Sequence, residues 1–161
     1  MRMGSLALVI GLLSTPAVGG EEQLYGTWKL TSMQRRIVDT GQILDAFGPE
    51  PRGFLTYGEG GRMMVLIAMS SRPKPDSIEK MTNQQRADLF RSMVAYTGTY
   101  SFDGKSVEHH IDIAWNEVWN GTLIKLDAVR NGDRLTYTTA PIPFAGDGRI
   151  SVVTLSWVRL K

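Results

Sequence analysis

The residue best suited to chemistry is a histidine inside a predicted strand. Apolar side chains recur at alternate positions of segment 107–115: Val107, Ile111, Ile113 and Trp115. Alternate residues of a strand face the same side of a sheet, so His109 is predicted to point inward and His110 outward. An interior imidazole can act as an acid, a base or a hydrogen-bonding partner of a ligand. The alternative is a structural histidine paired with a tyrosine or a backbone carbonyl.

Aromatic residues form the second candidate set. Tyrosine joins an apolar ring to one polar group, which suits a small-molecule pocket, although such residues also simply fill barrels. Trp115 and Trp119 flank Asn116-Glu117. If the strand ends there, their rings lie at the mouth of a barrel and can contact a ligand; the alternative is a surface aromatic cluster that packs against a helix. The predicted ligand contacts are His109, Tyr57, Tyr100, Trp115, Trp119 and Tyr137, with Tyr96 as a further tyrosine that could line or rim the cavity.

Composition excludes several classes of function. There is no cysteine, which removes disulfides, thiolate catalysis and cysteine-bound zinc. The two histidines are adjacent, face opposite ways and lack an evident third ligand, so we expect no metal and no cofactor. Lysine and arginine are scattered, the net charge is only +2, and no basic stripe indicates nucleic acid. No specific catalytic motif is present, so the sequence favours a non-catalytic protein without excluding an enzyme.

The first 20 residues have the layout of a cleavable secretion signal. Arg2 precedes the uncharged apolar run Gly4–Leu13, a break follows at Ser14-Thr15-Pro16, and small residues occupy 17–20. The run is shorter than the roughly 20 residues that span a bilayer. We therefore expect a signal peptide at 1–20, a mature domain at 21–161, a periplasmic or secreted location, and no stable membrane insertion after cleavage. A buried first strand or an uncleaved anchor is the alternative.

The mature chain reads as short β-prone runs separated by tight turns such as Asp103-Gly104 and Asn131-Gly132. This pattern predicts a mainly β fold: a closed, antiparallel up-and-down barrel of about eight to ten strands, because closure removes exposed edges. One inserted helix is predicted near residues 82–96, where Thr82 and Gln85 fit a capping box. The strand that starts at Arg62 is apolar on both faces, so we expect this helix to cover its outside.

Five sequence blocks support a family resemblance. Gly26-Thr27-Trp28 resembles the Gly-x-Trp signature of lipocalins and related calycin barrels, and later blocks resemble the bacterial and fungal lipocalin-like domain family. These later blocks are Pro51–Tyr57 with Gly61–Val65, Tyr96–Tyr100 running into Val107–Ile111, Trp119–Thr122, and Leu155–Trp157. The resemblance implies a barrel with a central cavity. It also implies that Gly26 and Trp28 form a closed floor, with Arg159 packed over the indole ring.

Three functions follow as hypotheses. The first is an exported barrel that binds a small, mostly apolar molecule in its lumen, which would be its main partner. The second is a small-molecule isomerase or cyclase that uses His109 with a tyrosine. The third is a non-catalytic envelope protein with a filled barrel and a partner on its outer surface.

Overall fold

The computed structural model describes residues 20–161, so the predicted signal segment, apart from Gly20, lies outside the described residues. Within these residues the structure has ten strands: β1 (Gly26–Ile37), β2 (Ile43–Asp45), β3 (Arg52–Tyr57), β4 (Arg62–Ala68), β5 (Met93–Phe102), β6 (Ser106–Ala114), β7 (Leu123–Asn131), β8 (Arg134–Thr139), β9 (Ile142–Pro143) and β10 (Ile150–Arg159). One α-helix, α1 (Asn83–Arg91), lies between β4 and β5. Two 3-10 turns cover Glu21–Gln23 and Glu117–Trp119.

Eight of these strands close into an antiparallel barrel, as the sequence predicts. Their order is β1-β3-β4-β5-β6-β7-β8-β10, and the pairing of β10 with β1 completes the ring. The short strands β2 and β9 lie outside the ring and pair with β1 and β10. Most ring strands pair with neighbours that are close in sequence, whereas the pair of β1 and β10 joins the first and last strands of the ring. No helix among residues 20–161 is long and apolar enough to cross a bilayer.

The floor of the barrel is filled by side chains around Trp28. This ring is fully buried, and its Nε1 donates to the Leu24 carbonyl oxygen at 2.7 Å. The Arg159 guanidinium lies 4.6 Å from the Trp28 ring centroid and donates to the Gln23 carbonyl oxygen at 2.6 Å. The contact between Trp28 and Arg159 that the family resemblance implies is therefore present. It ties the last strand to the turn that precedes the first.

Two β-bulges change which residues face inward. In β1 the pairing shifts between Leu30 and Ser32, so the interior positions continue at Met33, Arg35 and Ile37 rather than at even numbers. An extra residue in one strand reverses the alternation beyond it, and simple period-two counting does not detect it.

The second bulge corrects a prediction about β6. The pairing shift at Thr97/Gly98 of β5 leaves Asp112 of β6 without a partner, so Ile113 is 65% exposed instead of facing inward. His109 and Ile111 precede the shift and are buried as expected, while His110 is exposed. The sequence rule therefore holds for the first half of β6 and fails after Asp112.

The helix exists but does not act as the predicted cover. Its capping box is present: Thr82 Oγ1 accepts from the Gln85 amide at 3.1 Å, and Gln85 Oε1 accepts from the Thr82 amide at 2.9 Å. It ends at Arg91, because residues 93 and 94 pair with β4 in the sheet. The outer apolar side chains of β4, Met64 and Leu66, remain 59% and 46% exposed. The expectation that α1 covers them was wrong.

Candidate functional site

A cavity of about 560 Å³ occupies the barrel above the floor. Its wall is mostly apolar and aromatic, with contributions from Leu55, Val65, Ile67, Trp157, Val153 and Phe144. Several lining residues at one end are also exposed to solvent, among them Val118 at 79% and Leu123 at 49%. The lumen is thus filled near Trp28 and hollow toward a mouth. A volume of this size lies within the range of roughly 300–1,000 Å³ found for small-molecule sites.

His109 stands at the inner end of this cavity, held between two tyrosines. Its Nε2 lies 2.6 Å from the Tyr57 hydroxyl, and its Nδ1 lies 3.0 Å from the Tyr96 hydroxyl. The Tyr57 hydroxyl also lies 2.7 Å from that of Tyr137. The four side chains therefore form one continuous hydrogen-bonded chain in the order Tyr137, Tyr57, His109, Tyr96, called the tyrosine–histidine relay below.

The relay is electrically neutral. Burial lowers the pKa of His109 to about 3, with a smaller contribution from the charge of His110. Burial also raises the pKa values of Tyr57, Tyr96 and Tyr137 above their usual range. Desolvation disfavours the charged form of each group, which is imidazolium for histidine and phenolate for tyrosine. Near neutral pH the relay therefore consists of one imidazole and three hydroxyl groups.

The predicted contact residues divide between the wall and the layer behind it. His109, Trp115, Trp119 and Tyr137 line the cavity. The cavity wall does not include Tyr57 or Tyr100, which are both buried. Tyr57 holds His109 from behind, and the Tyr100 ring packs 4.4 Å from the Tyr57 ring. Direct ligand contact by those two tyrosines remains a prediction that their position does not favour.

The two tryptophans form an aromatic wall toward the mouth. Their rings meet edge to face at 4.8 Å between centroids, and Trp119 lies 5.8 Å from the Tyr96 ring. The Trp115 indole also donates to the Phe90 carbonyl oxygen at 3.1 Å, which anchors it to α1. Trp115 therefore combines the two roles considered for it, because it lines the cavity and packs against the helix.

Tyr96 lines the cavity and bonds His109. It was predicted as a tyrosine that could line or rim the cavity, but not as a ligand contact. The strand pattern contains a usable signal, since Tyr96, Gly98 and Tyr100 alternate on one face of β5 and are all buried. Gly98 has no room for a Cβ, because such an atom would lie 1.9 Å from the His110 carbonyl oxygen. This close approach coincides with the bulge in β6 and fixes the two strands that carry Tyr96 and His109.

The hairpin between β9 and β10 reaches over the lumen and is fixed by a buried arginine. Arg35 of β1 points inward after the bulge and bonds both carboxylate oxygens of Asp147 at 2.9 and 2.6 Å. Its guanidinium also lies 4.3 Å from the ring centroid of Phe144, a cavity residue. Arg35 and its neighbours hold the pKa of Asp147 down to about 2. No sequence pattern indicates this Arg35–Asp147 pair, because Arg35 faces inward only as a result of the bulge in β1.

Charged groups contribute little to the wall. Of the lining residues, Lys125 is the charged one, and its Nζ pairs with Glu108 on the outer surface at 2.9 Å. Residues 20–161 contain no group of three metal-ligating side chains close enough to share an ion. The arrangement offers a largely apolar volume in which the relay is the cluster of polar side chains, besides the separate hydroxyl groups of Thr122 and Thr139.

The comparisons with known proteins agree with this architecture. No curated protein matches the chain. Residues 25–160 match the lipocalin-like domain. The match runs from the residue before Gly26 to the residue after Arg159, and so spans the whole ring of strands. With the closed eight-stranded barrel, it shows that the chain belongs to the lipocalin-like domain family.

Proposed function

We propose that the barrel binds a small, mostly apolar molecule in its lumen. The observation that carries the proposal is the cavity itself: about 560 Å³ of space with an apolar and aromatic wall, open at one end. An apolar ligand gains free energy by leaving water for such a wall, at about 25 cal/mol for each Å² that it buries. The aromatic pair Trp115 and Trp119 offers a rigid contact surface at the mouth.

The filled-barrel alternative fits this interior less well, since only the floor is packed. An exposed apolar surface does exist on the outside, where Phe54 and Leu66 are cross-strand partners and are 48% and 46% exposed. That surface favours a partner on the outer wall as a second candidate function. It does not compete for the same residues as the lumen.

The enzyme alternative is constrained by the neutral relay. A general acid or base works best when its pKa lies near the working pH, and burial moves the pKa values of His109 and its tyrosines away from neutrality. Stepwise proton abstraction by the imidazole is therefore disfavoured. A catalytic role would need proton transfer along the relay in one concerted event, with no group becoming charged.

Export is part of the proposal and rests on segment 1–20. A periplasmic or secreted barrel would meet its ligand outside the cytoplasm. Expression of the full chain, followed by cell fractionation and N-terminal sequencing of the product, tests this point. A product that begins near Glu21 in the exported fraction supports it, and an intact Met1 terminus in the cytoplasm contradicts it.

Titration with the neutral fluorophore N-phenyl-1-naphthylamine tests the lumen. We expect saturable fluorescence enhancement in the wild-type protein. The variant Val94→Trp places a large ring on the cavity wall and should weaken binding at least tenfold. The matched control Val129→Trp makes the same change at a residue that is 67% exposed on β7, and it should leave binding unchanged. Equal binding by all three proteins would place the probe outside the lumen.

A further inference from the structure

The tyrosine–histidine relay contains one hydrogen more than its own contacts can use. Each tyrosine supplies one O–H and a neutral imidazole supplies one N–H, which makes four donor hydrogens. The relay has three links: Tyr137 to Tyr57, Tyr57 to His109, and His109 to Tyr96. The fourth hydrogen has no acceptor within the relay. This hydrogen must therefore point out of the relay, on the hydroxyl group at one of its two ends.

Both ends of the relay face the cavity. Tyr96 and Tyr137 belong to its wall, whereas Tyr57 lies behind. Within residues 20–161 neither end hydroxyl has a hydrogen-bond partner outside the relay. The other hydroxyl groups of the wall and the Lys125 ammonium group already have partners: Thr122 bonds the Trp119 carbonyl oxygen, Thr139 the Val153 amide and Lys125 the Glu108 carboxylate. The Trp157 Nε1 has no partner in the described part of the chain, but this atom is buried and not exposed to the cavity. A polar atom of a ligand would therefore find its partner at the two end hydroxyl groups.

The tautomer of His109 decides which end carries the free hydrogen. If Nδ1 holds the proton, it donates to Tyr96; Tyr57 then donates to Nε2 and Tyr137 to Tyr57, which leaves the Tyr96 O–H free. If Nε2 holds the proton, every donation reverses and the Tyr137 O–H becomes free. In either state the cavity meets one O–H donor at one end and one bare hydroxyl oxygen at the other.

From this count we infer that the lumen selects an apolar molecule that carries one uncharged oxygen, a carbonyl or a hydroxyl, which accepts the free hydrogen of the relay. The inference rests on the proposed lumen binding and adds the chemistry of the ligand. An anionic head group is disfavoured, because a buried charge needs a partner of opposite sign and Lys125 is already paired outside with Glu108. A hydrocarbon without oxygen leaves the free donor unpaired.

Two single-atom variants test the relay without any ligand. In Tyr137→Phe, an Nε2–H tautomer would aim the buried Tyr57 O–H at a phenyl ring, so His109 should adopt the Nδ1–H form. In Tyr96→Phe, an Nδ1–H would lose its acceptor, so His109 should adopt the Nε2–H form with Tyr137 donating to the cavity. Nitrogen-15 NMR of the imidazole rings distinguishes the two forms. The exposed His110 serves as the internal control and should not change.

Opposite tautomers in the two variants support the relay, and the same tautomer in both overturns it. Because a merely structural tyrosine cluster would not set the tautomer in this way, the readout separates the inference from a general loss of packing. Circular dichroism of both variants checks that the barrel persists. If either variant fails to fold, the wild-type titration described next decides the question alone.

Three probes of matched shape test the ligand chemistry: 2-ethylnaphthalene, 2-acetylnaphthalene and 2-naphthoate, each titrated by calorimetry. We expect the ketone to bind about 2- to 12-fold tighter than the hydrocarbon, which is the net effect of one hydrogen bond. The carboxylate should bind more weakly than either. The preference for the ketone should vanish in the double variant Tyr96→Phe/Tyr137→Phe, which keeps the hydrophobic wall.

The outcomes separate this inference from the proposed function. Equal affinity for ketone and hydrocarbon, or tighter binding of the carboxylate, overturns the selection for a neutral oxygen while lumen binding stands. A ketone preference that survives in the double variant overturns the role of the relay. Binding of none of the three probes contradicts the proposed lumen binding itself.

Discussion

Acid should destabilise this protein well before its carboxylates titrate, because His109 is buried as a neutral imidazole. The folded state holds the pKa of His109 at about 3, and the ordinary value is 6.5. Between pH 6.5 and about 3, His109 therefore binds a proton in the unfolded chain but stays neutral in the folded protein. Stability contributed by the neutral imidazole is present above pH 6.5 and is lost as the pH falls toward 3.

The size of the effect follows from the distance between the two pKa values. Each pH unit below 6.5 costs about 1.4 kcal/mol of unfolding free energy, because one pKa unit corresponds to about 1.36 kcal/mol. At pH 5, about 1.5 units below the unfolded value, the loss is about 2 kcal/mol. For a small domain with a stability of about 5–15 kcal/mol, that loss is readily measured.

Urea unfolding at half-unit steps from pH 7.5 to 5.0, followed by tryptophan fluorescence, measures this slope. The variant His110→Gln removes the neighbouring exposed histidine and leaves His109 as the one remaining imidazole, since the sequence has two histidines. The slope should persist in that variant and disappear in His109→Gln. Asp147 does not interfere with this measurement. Its pKa falls from the ordinary value of 3.8 to about 2 on folding, so the stability that it contributes is lost only as the pH falls below about 3.8.

A flat stability profile between pH 7.5 and 5.0 in His110→Gln would refute the reasoning. It would mean that His109 takes up its proton in the folded state with little penalty. The relay would then be open to water or to a counter-charge, and the neutral hydrogen count would no longer hold. If His109→Gln does not fold, the His110→Gln profile still decides the question.

Three further predictions concern the floor, the helix and the hairpin. Arg159→Met should lower stability by about 1–2 kcal/mol, because it removes the cation from the Trp28 ring and the donor that bonds the Gln23 carbonyl oxygen; chemical unfolding measures the loss. Thr82→Ala should cost about 1 kcal/mol in the local stability of α1, measured by hydrogen exchange of its first-turn amides. Arg35→Met should loosen the hairpin that Asp147 anchors, seen as faster proteolytic cleavage near residue 146.

Matched controls exist for these three changes. Arg159→Lys keeps a cation beside the indole ring and should recover part of the lost stability. Thr82→Ser keeps the capping hydroxyl and should leave exchange in α1 unchanged. Arg149→Gln breaks the exposed pair with Asp39 and should alter stability by less than about 0.5 kcal/mol, since exposed ion pairs contribute little. A larger loss of unfolding free energy for Arg149→Gln than for Arg35→Met would contradict the role of the Arg35–Asp147 pair in holding the hairpin.

The ring of strands and the inward direction of His109 could be predicted from the sequence, because alternation and turn residues act locally. What local patterns miss are the bulges, where one strand gains a residue relative to its partner. Arg35 turns inward and Ile113 outward for that reason alone. The pairing of β4 with β5 likewise ends α1 at Arg91, although the apolar spacing continues for three more residues.

The contacts within the site were harder to foresee than its members. His109 and several tyrosines were candidates, but the bond from His109 to Tyr57 joins β6 to β3, which is distant in sequence. Tyr96 lies on the neighbouring strand β5, yet strand periodicity alone does not show that its hydroxyl bonds the imidazole. The choice between a lining tyrosine such as Tyr137 and a supporting one such as Tyr100 depends on depth along the barrel axis, which strand periodicity does not encode.

The division of the barrel into a packed floor and a hollow upper part bears on how the family can diversify. Substitutions around Trp28 disturb close packing and lower the stability of the fold, so the Gly26-Thr27-Trp28 motif should change slowly in evolution. Side chains of the upper wall border empty space, and their replacement alters the shape of the cavity at little cost to the fold. New ligand preferences can therefore arise by mutation at the mouth while the floor keeps its lipocalin-like Gly-x-Trp motif.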